Sequence, residues 1–251
     1  MMKRTLLAAT CSLALTVLAH AEGVEWPMNP VIGLLGASYV NATPPINSPL
    51  GGMAYIGGSY LDLTTALTKL PDLDQYRFLS DTQSGGFSYD VPGSGWKGYN
   101  SQFADMVART NWFDGVNRLK AVISVVVNDC LHSKPCTTDD IYAYTDRIKG
   151  VTTRAEVMGV PVIITDFPPY ERLNMELARQ IFGLTYVIGP DEYQELQSIY
   201  RQELRHLPGV TFIDPWEHIS TIDGLHPDAE SMKKAAKEIA KTITKLEQKL
   251  H

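Results

Sequence analysis

Four short apolar runs, each followed by small or polar residues, constrain the fold of this chain more than any other feature. The runs lie in the segments "NPVIGLLGASYV", "LKAVISVVVND", "VPVIITDF" and "GVTFIDPW". Strands that are buried on both faces of a parallel sheet have near-continuous apolar sequences of this length. The sequence therefore predicts four parallel strands, which end close to Ser38, Asn128, Asp166 and Asp214.

Amphipathic segments alternate with these runs. They cover residues 58–70, 99–111, 137–159 and 190–207, and a last segment carries apolar residues at helical spacing from Met232 to Leu250. The third of them opens with Thr137 and Asp140, a pattern that caps helices. Alternating strands and helices predict an α/β domain of three layers with a mostly parallel central sheet. The Gly- and Pro-rich stretches 41–58 and 84–98 predict long irregular loops.

The first residues predict a targeting segment. Two basic residues precede an apolar run from Leu6 to Leu18, and Ala19-His20-Ala21 has the pattern of a signal-peptidase site. We expect a cleaved secretory signal peptide over residues 1–21 and a single mature domain over residues 22–251, secreted or periplasmic. The alternative, a membrane anchor, needs roughly 20 apolar residues, and this run is shorter. No later stretch of the sequence is apolar enough to span a bilayer.

The net charge of the whole chain and the two cysteines that follow the predicted signal peptide limit the partners of this protein. The formal net charge is -6 and the basic residues are scattered, so the sequence predicts no nucleic-acid partner. Cys130 and Cys136 form an even pair, and in an oxidising compartment they predict a disulfide. The alternatives are two free thiols or two ligands of a metal. His132 is the only further ligand near them, which argues against a zinc site.

Polar residues that follow parallel strands meet at one edge of the sheet, where open α/β sheets bind ligands. Ser38 alone reads as a small residue in a Gly-rich turn or as a helix cap. His226, in "DGLHPD", changes that interpretation because Asp223 can orient its imidazole and leave the other ring nitrogen to act on a hydroxyl. The alternative is that Asp223 and Asp228 are only turn and cap residues.

The order of these residues resembles the four sequence blocks of the SGNH hydrolases, also called GDSL esterases and lipases. The matching residues are Ser38 in "GLLGASYV", Gly85 in "TQSGGFSY", Asn128 in "VVVND", and Asp223 and His226 in "DGLHPD". The resemblance implies a flavodoxin-like sandwich with Ser38 as nucleophile, His226 as general base and acid, and Asp223 as its orienting partner. It also implies an oxyanion hole made by the Ser38 and Gly85 backbone N–H groups and the Asn128 side chain.

Three positions depart from the family pattern or leave it open. Ala37 stands where the family usually has Asp before the nucleophile. Val126 stands where the third block usually has Gly, which would narrow or reshape the pocket. Gly86 adjoins Gly85 and is the alternative oxyanion donor.

The resulting expectation is a serine esterase that hydrolyses carboxylic esters through an acyl-enzyme on Ser38, without metal or organic cofactor. Its substrate would be a lipid or short-chain acyl ester, or alternatively an O-acetyl group on a polysaccharide or other glycan. A second class remains open, a non-catalytic protein that binds glycan or lipid on the same scaffold. We expect Asp129 to organise its loop, Asp166 and Asp214 to act as strand-end or cap residues, and the remaining histidines to have no catalytic role.

Overall fold

Five parallel strands form the central sheet. The computed structural model describes residues 29–41, 61–111, 118–132 and 134–250. The strands are β1 (Val31–Leu35), β2 (Arg77–Ser80), β3 (Leu119–Ser124), β4 (Val162–Thr165) and β5 (Val210–Ile213), in the spatial order β2-β1-β3-β4-β5. This is the flavodoxin-like strand order. The predicted α/β fold with a parallel sheet is therefore confirmed.

Within the described residues, six α-helices lie between and after the strands. They are α1 (Leu63–Thr68), α2 (Tyr99–Asn111), α3 (Thr138–Val157), α4 (Met175–Phe182), α5 (Pro190–Leu204) and α6 (Ala229–Leu250). Helix α3 begins where its capping pattern predicts, because the Thr137 hydroxyl accepts from the Asp140 N–H while the Asp140 carboxylate accepts from the Thr137 N–H. In the described part of the predicted segment 58–70, the helix covers Leu63–Thr68, and the Asp62 carboxylate caps its start through the Thr65 N–H at 2.7 Å.

The helices cover both faces of the sheet. Gly33 in β1 faces α2 so closely that an added Cβ would lie 1.9 Å from Met106 Sδ. Its neighbours Ile32 and Leu34 point to the opposite face, because side chains alternate along a strand, and both are fully buried. Helices α2, α3 and α5 pack in a row on one side, whereas α1 and α6 pack against each other. The sheet is thus the middle of three layers.

Two elements were missed by the sequence interpretation. Strand β2 is a short strand at the edge of the described sheet, where it pairs with β1, and its residues are partly or fully exposed. Helix α4 follows a single turn of 3-10 helix at Tyr170–Arg172. The stretch 84–98 contains no helix or strand, as predicted. The signal peptide and residues 42–58 of the other predicted loop lie outside the described residues.

The predicted disulfide joins Cys130 to Cys136, with the two Cα atoms 5.3 Å apart. It closes the loop that leaves Asn128 and leads into α3. Among the described helices, none is both long enough and apolar enough to cross a membrane.

Candidate active site

The turn that presents Ser38 is held by a side chain from α2. Gly36 has φ +152°, and a Cβ there would come within 2.9 Å of Val40, so the turn requires glycine. The Gln102 amide accepts from the Gly36 N–H at 3.0 Å and donates to the Gly36 carbonyl at 3.1 Å. Its Nε2 also donates to the Lys97 carbonyl at 2.6 Å. Gln102 thus fixes the backbone from which the Ser38 hydroxyl projects.

The loop before α6 is built around the Asp223 carboxylate. Its Oδ1 accepts from the backbone N–H groups of Leu225 at 3.0 Å and His226 at 2.7 Å. Its Oδ2 lies 2.7 Å from His226 Nδ1. Burial by itself would raise the pKa of Asp223, but the hydrogen bond and charge of His226, with these two N–H groups, outweigh it and hold that pKa below its usual range. Asp223 is therefore a carboxylate at neutral pH.

The imidazole of His226 joins this loop to the Ser38 turn. His226 Nε2 lies 2.9 Å from Ser38 Oγ, although the two residues are 188 positions apart in the chain. Ser38, Asp223 and His226 are all buried. A carboxylate on Nδ1 selects the tautomer that leaves Nε2 able to accept a hydroxyl proton. The structure therefore brings together the three side chains to which the sequence assigned catalytic roles.

Two further contacts hold the His226 loop in place. The Tyr39 hydroxyl, next to the nucleophile turn, donates to the Leu225 carbonyl at 2.6 Å. Burial, with a smaller contribution from the Asp223 charge, raises the pKa of Tyr39, so the phenol stays protonated as a donor. Gly224 has φ +87° and lies against the start of α4, where its carbonyl accepts from the Asn174 N–H at 2.8 Å.

Asn128, a candidate oxyanion donor, lines the same cavity as Ser38. Asn128 Nδ2 donates one hydrogen to the Gly86 carbonyl at 2.9 Å, which fixes the amide, and a side-chain amide carries a second hydrogen. The Gly86 N–H donates to the Gln83 carbonyl at 3.1 Å and so closes a turn. Gly85 has φ +79°, a conformation that favours glycine. Of the two adjacent glycines, Gly86 has its N–H committed to the turn.

Asp129 organises the loop that carries Gly85, as the sequence predicts. Its carboxylate accepts from the Ser88 N–H at 2.7 Å and from the Ser88 hydroxyl. Arg147 of α3 lies 3.5 Å from the same carboxylate. Burial raises the pKa of Asp129, although these partners oppose it.

Asp166 and Asp214 also follow strands, at the same sheet edge, and both are engaged there. Asp166 accepts from Arg201 Nε at 2.6 Å and from the Phe167 N–H at 2.8 Å. Asp214 caps the turn after β5 by accepting from the Trp216 N–H at 3.2 Å. These contacts agree with the strand-end and cap roles expected for both.

His132, for which the sequence predicts no catalytic role, lies close to the residues of the site. Burial, together with the charge of His226, lowers the pKa of His132 to about 4. Its ring lies 6.4 Å from that of Phe87, two residues beyond Gly85. A single histidine without a paired ligand or acid carries no signal in the sequence, so only the tertiary structure could place it here.

A narrow cavity opens beside Ser38 and is called the Ser38 cavity below. Its volume is about 10 Å³, roughly the space that one water molecule needs. Besides Ser38 and Asn128 the lining is mainly apolar and consists of Tyr39, Val126, Val127, Leu131, Phe167, Pro168, Leu173, Tyr193 and Leu225. Within the described ranges, no three His, Cys, Asp or Glu side chains are grouped so that they could hold a metal ion.

No protein-family model matches this sequence, and no curated protein matches it either. Solved structures do resemble it. A carbohydrate acetylesterase from Sinorhizobium meliloti has a TM-score of 0.59 at 19% identity, covering 86% of this chain and 99% of that one. A putative arylesterase from Agrobacterium tumefaciens has a TM-score of 0.55 at 15% identity, covering 86% and 99%. A GDSL-like lipase from Bacteroides thetaiotaomicron has a TM-score of 0.53 at 15% identity, covering 94% and 97%.

These similarities extend over most of each chain, and they establish the fold. The chain has the fold of the SGNH hydrolases, which is the fold that the resemblance of its sequence blocks implies.

Proposed function

We propose that this protein is a carboxylic ester hydrolase that works through an acyl-enzyme on Ser38. The observation that carries the proposal is the continuous chain of contacts from Asp223 Oδ2 to His226 Nδ1 at 2.7 Å and from His226 Nε2 to Ser38 Oγ at 2.9 Å. A serine hydroxyl is a weak nucleophile until an adjacent base takes its proton. The esterases among the structural neighbours support the same reaction class.

The proposed reaction has two halves. In the first, Ser38 Oγ attacks the ester carbonyl carbon while His226 Nε2 takes the hydroxyl proton, and the tetrahedral intermediate then expels the alcohol, which receives that proton. In the second, water attacks the acyl-enzyme and gives a proton to His226, and the carboxylic acid leaves as Ser38 Oγ regains the proton. The ionised Asp223 stabilises the imidazolium formed in each half.

The developing oxyanion would be bound by the Ser38 N–H, the Gly85 N–H and the second hydrogen of Asn128 Nδ2. The engagement of the Gly86 N–H with Gln83 supports Gly85 as the glycine donor. Donors that are already oriented are effective because they need no reorganisation as charge develops, and losing one typically costs ~3 kcal/mol of transition-state stabilisation.

Two observations support a short acyl group on a sugar alcohol as the substrate. The Ser38 cavity is narrow, which favours a short acyl group over a lipid chain. Phe87 and Tyr89 stack with ring centroids 5.3 Å apart, Tyr89 is 42% exposed, and Arg147 lies over its ring. A partly exposed tyrosine next to the Gly85 loop could contact a sugar ring, and one structural neighbour is a carbohydrate acetylesterase.

The site of action belongs to the same proposal. We infer that residues 1–21 are removed and that the mature protein is secreted or periplasmic. The Cys130–Cys136 disulfide supports this because disulfides persist mainly in oxidising compartments. The intact mass of the protein recovered from periplasm or medium tests it, since cleavage after Ala21 fixes the mature mass.

The reaction is tested by treating the mature protein with a fluorophosphonate and measuring its intact mass. We expect one phosphonyl group on the wild-type chain and none on Ser38→Ala. The matched control is Ser101→Ala, which removes an exposed hydroxyl from α2 and should label like the wild type. Circular dichroism shows whether each variant is folded.

The substrate is then tested with acetylated xylan or chitosan fragments, short-chain aryl esters and lysophospholipid. A folded wild-type protein that neither labels nor hydrolyses any ester would overturn the proposed function. Binding of a glycan or lipid by that inert protein, unchanged in Ser38→Ala, would instead establish the non-catalytic binding protein.

A further inference from the structure

Val126 lies at the junction of the sheet and the candidate oxyanion hole. Strand β3 ends at Ser124, and two residues further on Val126 is 6% exposed and lines the Ser38 cavity together with Ser38 and Asn128. A side chain at this position occupies space that would otherwise belong to the cavity, directly beside the hydroxyl that would carry the acyl group.

Under the proposed mechanism, the Ser38 cavity would hold the acyl group of the ester. In the proposed reaction His226 gives its proton to the departing alcohol, so the alcohol must leave on the side of His226. The residues that line the Ser38 cavity include Ser38 and Asn128 but not His226 or Gly85. The acyl chain, which points away from the departing alcohol, is therefore the group that enters this cavity.

We propose that Val126 sets the upper limit of acyl length, confining the enzyme to acyl groups about the size of acetyl. The inference rests on the proposed function and adds the residue that determines its specificity. Three of the other walls, Phe167, Leu131 and Tyr193, offer little room for adjustment because they are themselves buried and packed into the core. Replacing Val126 by a smaller residue extends the cavity without touching a hydrogen bond of the catalytic side chains.

Discrimination between substrates by the shape of an apolar pocket changes kcat/KM by a known amount. One methylene that fits or fails to fit an apolar pocket changes kcat/KM by about 10- to 200-fold. A longer acyl group meets Val126 in the wild-type cavity and meets free space in a variant that lacks its two methyl groups. The effect should thus appear as a change in the preference between esters and not as a uniform loss of rate.

The experiment compares kcat/KM for para-nitrophenyl acetate, butyrate and hexanoate in the wild type, Val126→Ala, Val126→Gly and Val125→Ala. Val125 is the matched control, because it is the adjacent valine, fully buried, and absent from the lining of the Ser38 cavity. Both alanine variants remove the same two methyl groups from the interior. Only one of them enlarges the space beside Ser38.

We expect the wild type to favour acetate over butyrate by about 10-fold or more, and Val126→Ala and Val126→Gly to reduce that ratio by about 10-fold or more. Val125→Ala should keep the wild-type ratio even where its stability falls. If Val126→Gly does not fold, Val126→Ile gives the opposite test, since a larger side chain should lower butyrate and hexanoate turnover further while acetate is still hydrolysed.

The experiment distinguishes failure of this inference from failure of the proposed function. If Ser38 takes the phosphonyl label and acetate is hydrolysed, but the acetate-to-butyrate ratio is the same in every folded Val126 variant, this inference is wrong and the proposed function stands. A wild type that already hydrolyses hexanoate as well as acetate has the same meaning. If the wild type neither labels nor hydrolyses any ester, the proposed function fails and the inference fails with it.

Discussion

At the scale of single residues, the Asp223 carboxylate has two separable tasks. One oxygen binds two backbone N–H groups and shapes the loop, and the other binds the imidazole of His226. An asparagine in its place keeps the size and an oxygen for the backbone but loses the charge. Substitution of Asp223 therefore separates the folding of the loop from the activation of Ser38.

We expect Asp223→Asn to lower kcat by about 10³- to 10⁴-fold with little change in the circular dichroism spectrum, because the imidazolium loses its stabilising charge and the imidazole its fixed tautomer. The measurement is kcat on a short-chain aryl ester. Asp228→Asn is the matched control, since Asp228 lies in the same loop but caps α6 through the Ser231 N–H. A kcat for Asp223→Asn within about threefold of wild type would contradict the orienting role.

The same carboxylate makes stability depend on pH. Its folded-state pKa lies below its usual range, so ionised Asp223 stabilises the fold. That contribution is complete above the unfolded-state pKa of about 3.9 and is lost as the pH falls through the lower folded-state value. Urea midpoints of the wild type and Asp223→Asn should therefore differ by a constant amount above about pH 5 and converge below about pH 4. A gap that widens on acidification would reverse the sign of this argument.

The residues whose placement could be predicted are those with a local signal. Asp223 and His226 are three positions apart on one loop, and Ser38 and Asn128 follow apolar strands. Gln102 had no such signal, because it is one polar residue on an amphipathic helix. Its two hydrogen bonds to Gly36, 66 positions away, exist only in the folded chain.

At the scale of elements, the loop before α6 depends on a helix that the sequence does not reveal. Helix α4 has eight residues, too few for several turns of periodicity to show, and β2 has four partly exposed residues. Both are fixed by packing and not by their own sequence pattern. Yet α4 supplies the surface against which Gly224 and its loop are packed.

We expect Gly224→Ala to lower both stability and activity, because the new Cβ would lie 2.1 Å from the Asn174 carbonyl oxygen at a backbone φ of +87°. Gly93→Ala is the control, because it introduces the same backbone strain without a steric clash. Gly93 has φ +76°, and its added Cβ would have no atom within 4 Å. The control should lose only about 1–2 kcal/mol of unfolding free energy and keep wild-type kcat. Urea unfolding and ester hydrolysis measure the two effects. Equal losses in both variants would show that contact with α4 does not position the loop.

At the scale of the whole molecule, one parallel sheet brings residues from distant parts of the chain to a single edge. The fold class was predictable because strands and helices alternate along the sequence. The disulfide between Cys130 and Cys136 stabilises the fold mainly by lowering the conformational entropy of the unfolded chain.

We expect the free energy of unfolding of the double variant Cys130→Ser, Cys136→Ser to be about 2 kcal/mol lower than that of the wild type. The effect is modest because the closed loop is short, so that the disulfide removes little conformational entropy from the unfolded chain. Urea unfolding with and without a reducing agent measures this. The reducing agent should bring the wild type to the level of the double variant and leave the double variant unchanged. A reduced wild type as stable as the oxidised one would show that the link contributes nothing to the global fold.

Ser38 and His226 are 188 positions apart in the sequence, and this separation matters while the chain is being synthesised. Ser38 is synthesised well before His226. Under the proposed mechanism, Ser38 has no base until the loop of His226 has been made and has packed against the Ser38 turn. A chain that has been synthesised only as far as α5 would therefore be unable to cleave an ester.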